Sequence, residues 1–270
     1  MNIRNDLINE ISKEHSIQVE YLSQKYILRL TKEGHAPRHI FGPYWDINSA
    51  AADRLACDKC GCYTILNNCG VPAIEHKLFF NPLQRAYLLA YEGTMQNALA
   101  YFEANDHKVV VKPNQGAQGR DVYYCDSPMT LEHAIQTVFT TEPDVALCPY
   151  YAVYTEYRVF YLHGQVYYAY GKTKGDNWKH NLSQGAKAFE IKDGGLLDRL
   201  SKLAILAAKA IDIAFATIDI SLLENNELII MEINSGVQAQ YLLEQLPHLR
   251  QTIKNIYERA ILGMFQAPRH

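Results

Sequence analysis

No apolar run in this chain approaches the ~18–20 residues that a membrane-spanning helix needs, so no membrane segment is expected. The polar opening, Asn2-Ile3-Arg4-Asn5-Asp6, lacks the plan of a secretory leader, and the expected location is cytoplasmic. Neither sign of charge dominates: the formal net charge is −3, which gives no electrostatic case for nucleic acid or an anionic membrane. Glycine and proline number 15 and 10 in 270 residues, with no Gly/Ser linker, repeat or low-complexity stretch. That excludes a tethered array and leaves one large domain or two small ones. A Gly-x4-Gly-Lys-Ser/Thr loop, a dinucleotide fingerprint and a Ser-His-Asp or Cys-His nucleophile pattern are all missing.

Cysteine is present but unpatterned. In a reducing compartment the six are expected as free thiols. Cys57 and Cys60 imitate a metal knuckle, with Cys62 and Cys69 nearby. No second Cys/His pair follows at zinc spacing, so small buried thiols are the expectation. Aromatics are plentiful: of 19 tyrosines, several cluster at Tyr150, Tyr151, Tyr154, Tyr157, Tyr167 and Tyr168, as strands or a pocket wall would have them.

The pattern predicts helices over 3–13, 94–105, 130–139, 196–213, 238–245 and 249–265. Residues 48–69 read as one helix, with Asn48 as its N-cap and Gly70 just past its end. Strands are predicted at 25–30, 38–41, 108–111, 121–125, 145–148, 156–162 and 165–170. Several pair as hairpins, so the expected class is α+β with largely antiparallel sheets.

Two apolar runs near the C-terminus each carry a carboxylate: Asp219 in 215–220 and Glu232 in 229–234. Alternate residues of a strand share a face, so Glu232 and Asn234 lie together. A hairpin through Glu224-Asn225-Asn226-Glu227 can bring Asp219 beside them. Three oxygen donors on one face suit Mg²⁺; a hairpin with solvated acids is the other reading. Upstream, Lys112-Pro113 closes a strand and opens a loop containing Gly116 and Gly119. Such a loop can approach a phosphate with its N–H groups while Lys112 supplies a fixed cation; an ordinary β-turn looks the same. Lys59, Glu156, Arg158 and His180 each also read as ordinary surface or cross-strand charges.

The order of these features changes their weight. Asp58-Lys59 on a helix, then Gly70-Val71-Pro72, Lys112-Pro113 with its glycine loop, Cys148-Pro149-Tyr150, Glu156-Tyr157-Arg158, Asn181, Asp219 and Glu232-Ile233-Asn234 follow in one succession. This succession resembles the ATP-grasp superfamily, and within it the RimK-type ribosomal-protein glutamate ligase and cyanophycin synthetase branch, over about residues 48–245. The resemblance implies two α+β subdomains clasping ATP, at 48–147 and 148–270, behind a short extension at 1–47.

It further implies that Lys59 and Lys112 hold phosphates, with the loop around Gly116 and Gly119 closing over them. Pro149 and Tyr150 would form the adenine hinge, Glu156 would bind ribose, and Lys179, His180 and Asn181 would reach phosphates and substrate. Asp219, Glu232 and Asn234 would hold one or two Mg²⁺ ions, with Mn²⁺ as a substitute, and Arg158 would stand near the γ-phosphate and the acyl group. Pro149 replaces the family's usual acidic residue. Its carbonyl can accept, but it has no N–H, so the donor falls to Tyr150 or Tyr151. The implied activity is an ATP- and Mg-dependent carboxylate–amine ligase working through an acyl phosphate; a kinase acting on a small-molecule hydroxyl is the alternative on the same fold. Arg120, Arg158, Lys172, Lys174 and Lys179 suggest anionic small-molecule or peptide substrates. The short extension, with Tyr44-Trp45, leaves room for a homo-oligomer or a partner protein to complete the acceptor site.

Overall fold

The computed structural model describes residues 2–81, 94–116, 119–174 and 182–266. Helix α1 (Ile3–Glu14) buries Leu7, Ile8 and Ile11, and is capped by the Asn2 side chain. Strands β1 (Gln18–Leu22), β2 (Ile27–Thr31), β3 (Arg38–Phe41) and β4 (Tyr44–Trp45) form an antiparallel meander. Strand β1 was not anticipated: its residues are exposed or half-buried, so it carries little apolar signal.

The predicted helix over 48–69 is broken. Helix α2 (Ala50–Cys57) ends and α3 (Lys59–Asn68) restarts at Asp58, which leaves helical geometry and accepts the Gly61 N–H at 2.8 Å. A short acid is a strong N-cap, so the restart is favourable locally. The cap of α2 is Ser49, not Asn48. Asn48 instead bonds Ala214 N, Phe215 N and Phe215 O, pinning the start of a distant strand. Gly70 does fall just past α3, at φ +69°.

Strands β5 (Lys77–Phe80), β6 (Val109–Pro113), β7 (Tyr123–Cys125) and β8 (Asp144–Pro149) form a sheet in the order β5-β8-β6-β7. Helices α4 (Met95–Ala104), capped by Thr94, and α5 (Pro128–Phe139), with a Ser127–Thr130 capping box, share a core with it around Phe79, Phe102, Val109 and Leu131. Strands β9 (Val153–Leu162), β10 (Gln165–Lys172), β11 (Ala188–Glu190), β12 (Phe215–Leu223) and β13 (Leu228–Asn234) form the larger sheet, in the order β11-β10-β9-β12-β13. Helix α6 (Gly194–Ala210) packs with this sheet, and α2 and α3 share that core through Ala52, Ala56, Cys62 and Leu66.

The chain ends in α7 (Gln240–Gln245) and α8 (Arg250–Gln266). Helix α8 joins the N-terminal meander to the larger sheet in one core that includes Leu7, Trp45, Phe160, Phe215 and Tyr257. The ion pairs Arg250–Glu10 and Lys254–Glu14 add to that seam. The fold is α+β, and the pairs among its described strands are antiparallel, beside one isolated parallel bridge between Ala73 and Ile230. Among the described residues no helix is long and apolar enough to cross a membrane.

Candidate active site

Register builds the centre of the site. Across the larger sheet Tyr170, Arg158, Asp219 and Glu232 stand opposite one another on β10, β9, β12 and β13. One row away on the same face come Lys172, Glu156 and Ser221; on the other side Thr217 faces Asn234. Alternation along each strand puts these polar side chains on one face and sends Val159, Ile218 and Ile233 to the α6 side.

The centre is an ion-pair network. Arg158 grips Asp219 with two donors, Nε to Oδ1 at 2.7 Å and Nη2 to Oδ2 at 2.5 Å. Lys172 donates to Asp219 Oδ1 at 3.1 Å and also pairs with Glu156. The Asp219 side chain is only 4% exposed and that of Lys172 3%. Burial resists ionisation of Asp219, but Arg158 and Lys172 outweigh it and hold the carboxyl well below the ordinary range. Burial also opposes charge on Lys172, and the two acids overcome it, so its pKa rises. At Glu156 burial prevails over Lys172, and the pKa is raised.

Lys172, expected as a substrate-facing cation, is therefore an internal bridge between two acids. Its signal was a strand two residues longer than 165–170, which places Tyr170 and Lys172 on one face. For Glu156 and Arg158 the cross-strand ion-pair reading describes what the side chains do here.

Asn234 Nδ2 lies 3.0 Å from Glu232 Oε1 and 3.4 Å from Asp219 Oδ2. A half-turn of the amide presents its oxygen instead. Two carboxylates and an amide oxygen then face one another, a donor set that fits Mg²⁺. One condition is that Asp219 shares its lone pairs with two cations already in place.

Lys59, the first residue of α3, sends its ammonium to Gly116 O at 2.7 Å and Asn114 O at 3.3 Å. Asn114 also accepts the Lys59 and Cys60 N–H groups, so the loop after β6 is stitched to α3. An ammonium has three donors, and two are used among the described residues. Burial lowers the Lys59 pKa; Glu232 counters this and Lys112 reinforces it. Gly116 is required by close approach, since a Cβ there would sit 2.8 Å from the Pro113 Cβ.

Two cavities meet here. One, of about 150 Å³, is an apolar slot between Ile74, Val110, Val122 and Met231, edged by 148–151 and reaching Lys112 and Glu156. Tyr150 N–H is spent on Lys108 O at 2.9 Å, extending the sheet. Of the two N–H groups expected as adenine donors, that leaves Tyr151. The second cavity, of about 230 Å³, holds Arg158, Lys172 and Asn234 at its inner end and Tyr44, Gln238 and Gln240 toward its outer end. Both are lined by Lys59, Ile74, Gly116, Met231 and Glu232.

Sequence reasoning missed His76, which lines the second cavity. It is buried, its Nε2 has no partner among the described residues, and burial, with Lys112 and Lys59 beside it, pushes the imidazole well below its ordinary value. A histidine ahead of an apolar strand carries no signal for this. Lys179, His180 and Asn181 lie outside the described residues.

Residues 56–247 match the model of the RimK-like ATP-grasp domain. The chain belongs to that family, and its fold is the ATP-grasp fold. By class it is an ATP-dependent carbon–nitrogen ligase. Comparison with curated proteins finds no match. Among solved structures, D-alanine–D-alanine ligase from Bacillus anthracis complexed with ATP is similar at TM-score 0.61 and 16% identity, over 81% of this chain and 70% of that one. D-alanyl-alanine synthetase A from Vibrio cholerae O1 biovar eltor gives TM-score 0.68 at 10% identity, over 98% and 94%. The ATP-grasp ligase PsnB complexed with minimal precursor gives 0.55 at 15%, over 80% and 63%.

Proposed function

We propose that this protein joins a carboxylate to an amine, with ATP converted to ADP and phosphate through an acyl phosphate. One observation carries the reading: an apolar slot and a polar cavity meet at Lys59, Gly116 and Glu232. A flat base fits the slot, phosphates fit the junction, and a second substrate fits beyond it.

In this reading Ile74, Val110, Val122 and Met231 enclose adenine, with the Pro149 carbonyl and the Tyr151 N–H at its edge and Tyr150 holding the hinge to the sheet. Glu156 accepts from ribose hydroxyls. Lys59, Lys112 and the N–H groups around Gly116 and Gly119 neutralise phosphate charge, which is the main requirement when one anion attacks another. Residues 48–147 thus carry the phosphate-facing lysines, and 148–270 the acids. Asp219, Glu232 and Asn234 would hold Mg²⁺, which supplies charge neutralisation at the phosphoryl oxygens when bound.

Arg158 has N–H donors beyond the two it gives Asp219, and these suit oxygens of the carboxylate and the transferred phosphoryl group. The carboxylate oxygen bonds phosphorus as the bond to the ADP oxygen breaks. The amine then adds to the acyl carbon, phosphate leaves, and the nitrogen gives up a proton. A cytoplasmic setting is part of this reading.

The test is product analysis with Mg·ATP and a panel of carboxylates and amines. Amine-dependent release of ADP and phosphate in equal amounts supports ligation. Phosphate retained on a hydroxyl product would identify the chain as a kinase instead.

A further inference from the structure

The substrate-side cavity does not end at Tyr44. Pro43, Gln238 and Gln240 also line a second cleft of about 380 Å³ that runs out over the N-terminal meander. Gln240 ties the two together, since its Oε1 accepts the Ile3 N–H at 3.0 Å. Where the two adjoin the chain approaches itself closely: a Cβ on Gly236 would lie 3.0 Å from Pro43 Cβ. The mouth itself, at Pro43, Tyr44, Gln238 and Gln240, is uncharged.

The outer cleft is different. Its charged lining residues are Arg4 and Lys25, with no acid among the described residues that line it. In a chain of net charge −3 this is a local excess of positive charge. Arg4 is 9% exposed and donates to Gly42 O and Asn5 Oδ1, both neutral acceptors. It makes no ion pair with a carboxylate among the described residues. A buried cation without a counter-ion is unfavourable until an anion arrives.

Lys25 is exposed, its ammonium 6.0 Å over the Tyr21 ring. It closes a run of three left-handed residues: Ser23 at φ 46°, Gln24 at 54° and Lys25 at 69°. Such a run is strained for side-chain-bearing residues, and strain of this kind gathers at ligand-holding turns. Gly42, at φ +54°, gives Tyr26 room to lie over the turn, since a Cβ there would meet the Tyr26 ring.

We propose that the second substrate is an extended, peptide-like chain with a carboxylate remote from its reacting end. The remote carboxylate seats on Arg4 and Lys25, and a neutral stretch passes Pro43, Gln238 and Gln240. This rests on the ligase reading of the site. An extended chain advances about 3.4 Å per residue, so the position of the acid along a peptide reads out the separation.

The experiment uses pentaglycine and the five pentapeptides in which one glycine is replaced by glutamate. Binding is measured by calorimetry, with and without Mg²⁺ and a non-hydrolysable ATP analogue. At one position glutamate is expected to tighten binding about 10-fold over pentaglycine, as one charge-assisted contact would. Lys25→Glu, a change at an exposed turn, should abolish that gain and leave nucleotide binding unchanged. Arg4→Gln, checked for a wild-type melt, should do the same; if it misfolds, Lys25→Glu carries the test.

The proposal is overturned if no position of glutamate tightens binding, or if the gain survives Lys25→Glu. Failure of the nucleotide analogue to bind would count against the ligase reading, while the peptide series without nucleotide still decides the cleft.

Discussion

Arg158 and Asp219 face each other across β9 and β12, joined by two hydrogen bonds of 2.7 and 2.5 Å, with the acid almost wholly buried. The proposed metal ligand is thus already paired. Lys172 completes its surroundings at 3.1 Å. A carboxylate so placed serves two purposes, and substitutions should separate them.

Asp219→Asn removes the counter-charge of Arg158, whose side chain is 25% exposed, and one of the two counter-charges of buried Lys172. The loss is expected at about 3–5 kcal/mol of stability, together with loss of ATP turnover. Glu232→Gln should keep the wild-type melt, because Glu232 is half-buried and among the described residues its one hydrogen bond is to Asn234. Its turnover should fall on the order of 100-fold or more. Denaturant melts alongside ADP release check both. Equal melts for the two variants would contradict the network, and wild-type turnover in both would remove the metal assignment.

Glu156 gives a pH signature. Its folded pKa is raised, so the stability it contributes is full below its unfolded value of about 4.5 and is lost as pH rises through the folded value. The stability of wild type minus that of Glu156→Gln should therefore shrink as pH rises above 4.5. Asp219 works in the opposite sense. Its lowered pKa gives stability that is present above about 3.8 and lost as pH falls below that. Melts from pH 3 to 8 measure both limbs, and a gap that widens toward pH 8 would contradict the assignment for Glu156.

Gly116→Ala must displace the Pro113 ring or the loop, and with it the carbonyl that receives Lys59. KM for ATP should rise roughly 10-fold or more, since small misplacements near reacting groups have large effects. Steady-state kinetics with varied ATP measure it. An unchanged KM would take the loop out of phosphate binding.

The thiols differ in reactivity for physical reasons. Burial pushes Cys62 up to about 12 and Cys60 higher, while Cys69 is exposed. Alkylation of the native protein near pH 8, followed by peptide mass spectrometry, should label Cys69 well before Cys60 or Cys62. Early labelling of Cys60 would mean that α3 opens readily.

Much of this was legible because strand alternation is local. The hairpin carrying Asp219, Glu232 and Asn234 reads directly from residues 215–234, and its register brings the three together. The break at Asp58 was less visible, since Ala50–Cys57 and Lys59–Asn68 keep one apolar period and only the cap interrupts it. Three facts depend on contacts between segments apart in sequence: Lys172 between Glu156 and Asp219, Asn48 on β12, and the Tyr150 N–H spent on Lys108. A single sequence carries no such contacts. His76 is of the same kind, because Lys59 and Lys112, which stand beside it, come from other segments.

The most direct test of ligation uses hydroxylamine as a surrogate amine, with Mg·ATP and a panel of amino acids and peptides bearing a carboxylate. Wild-type protein should form a hydroxamate and ADP in equal amounts with at least one carboxylate, and Glu232→Gln should form neither. Formation of AMP, or of a stable phosphoester without hydroxamate, would contradict carboxylate activation through an acyl phosphate at this site.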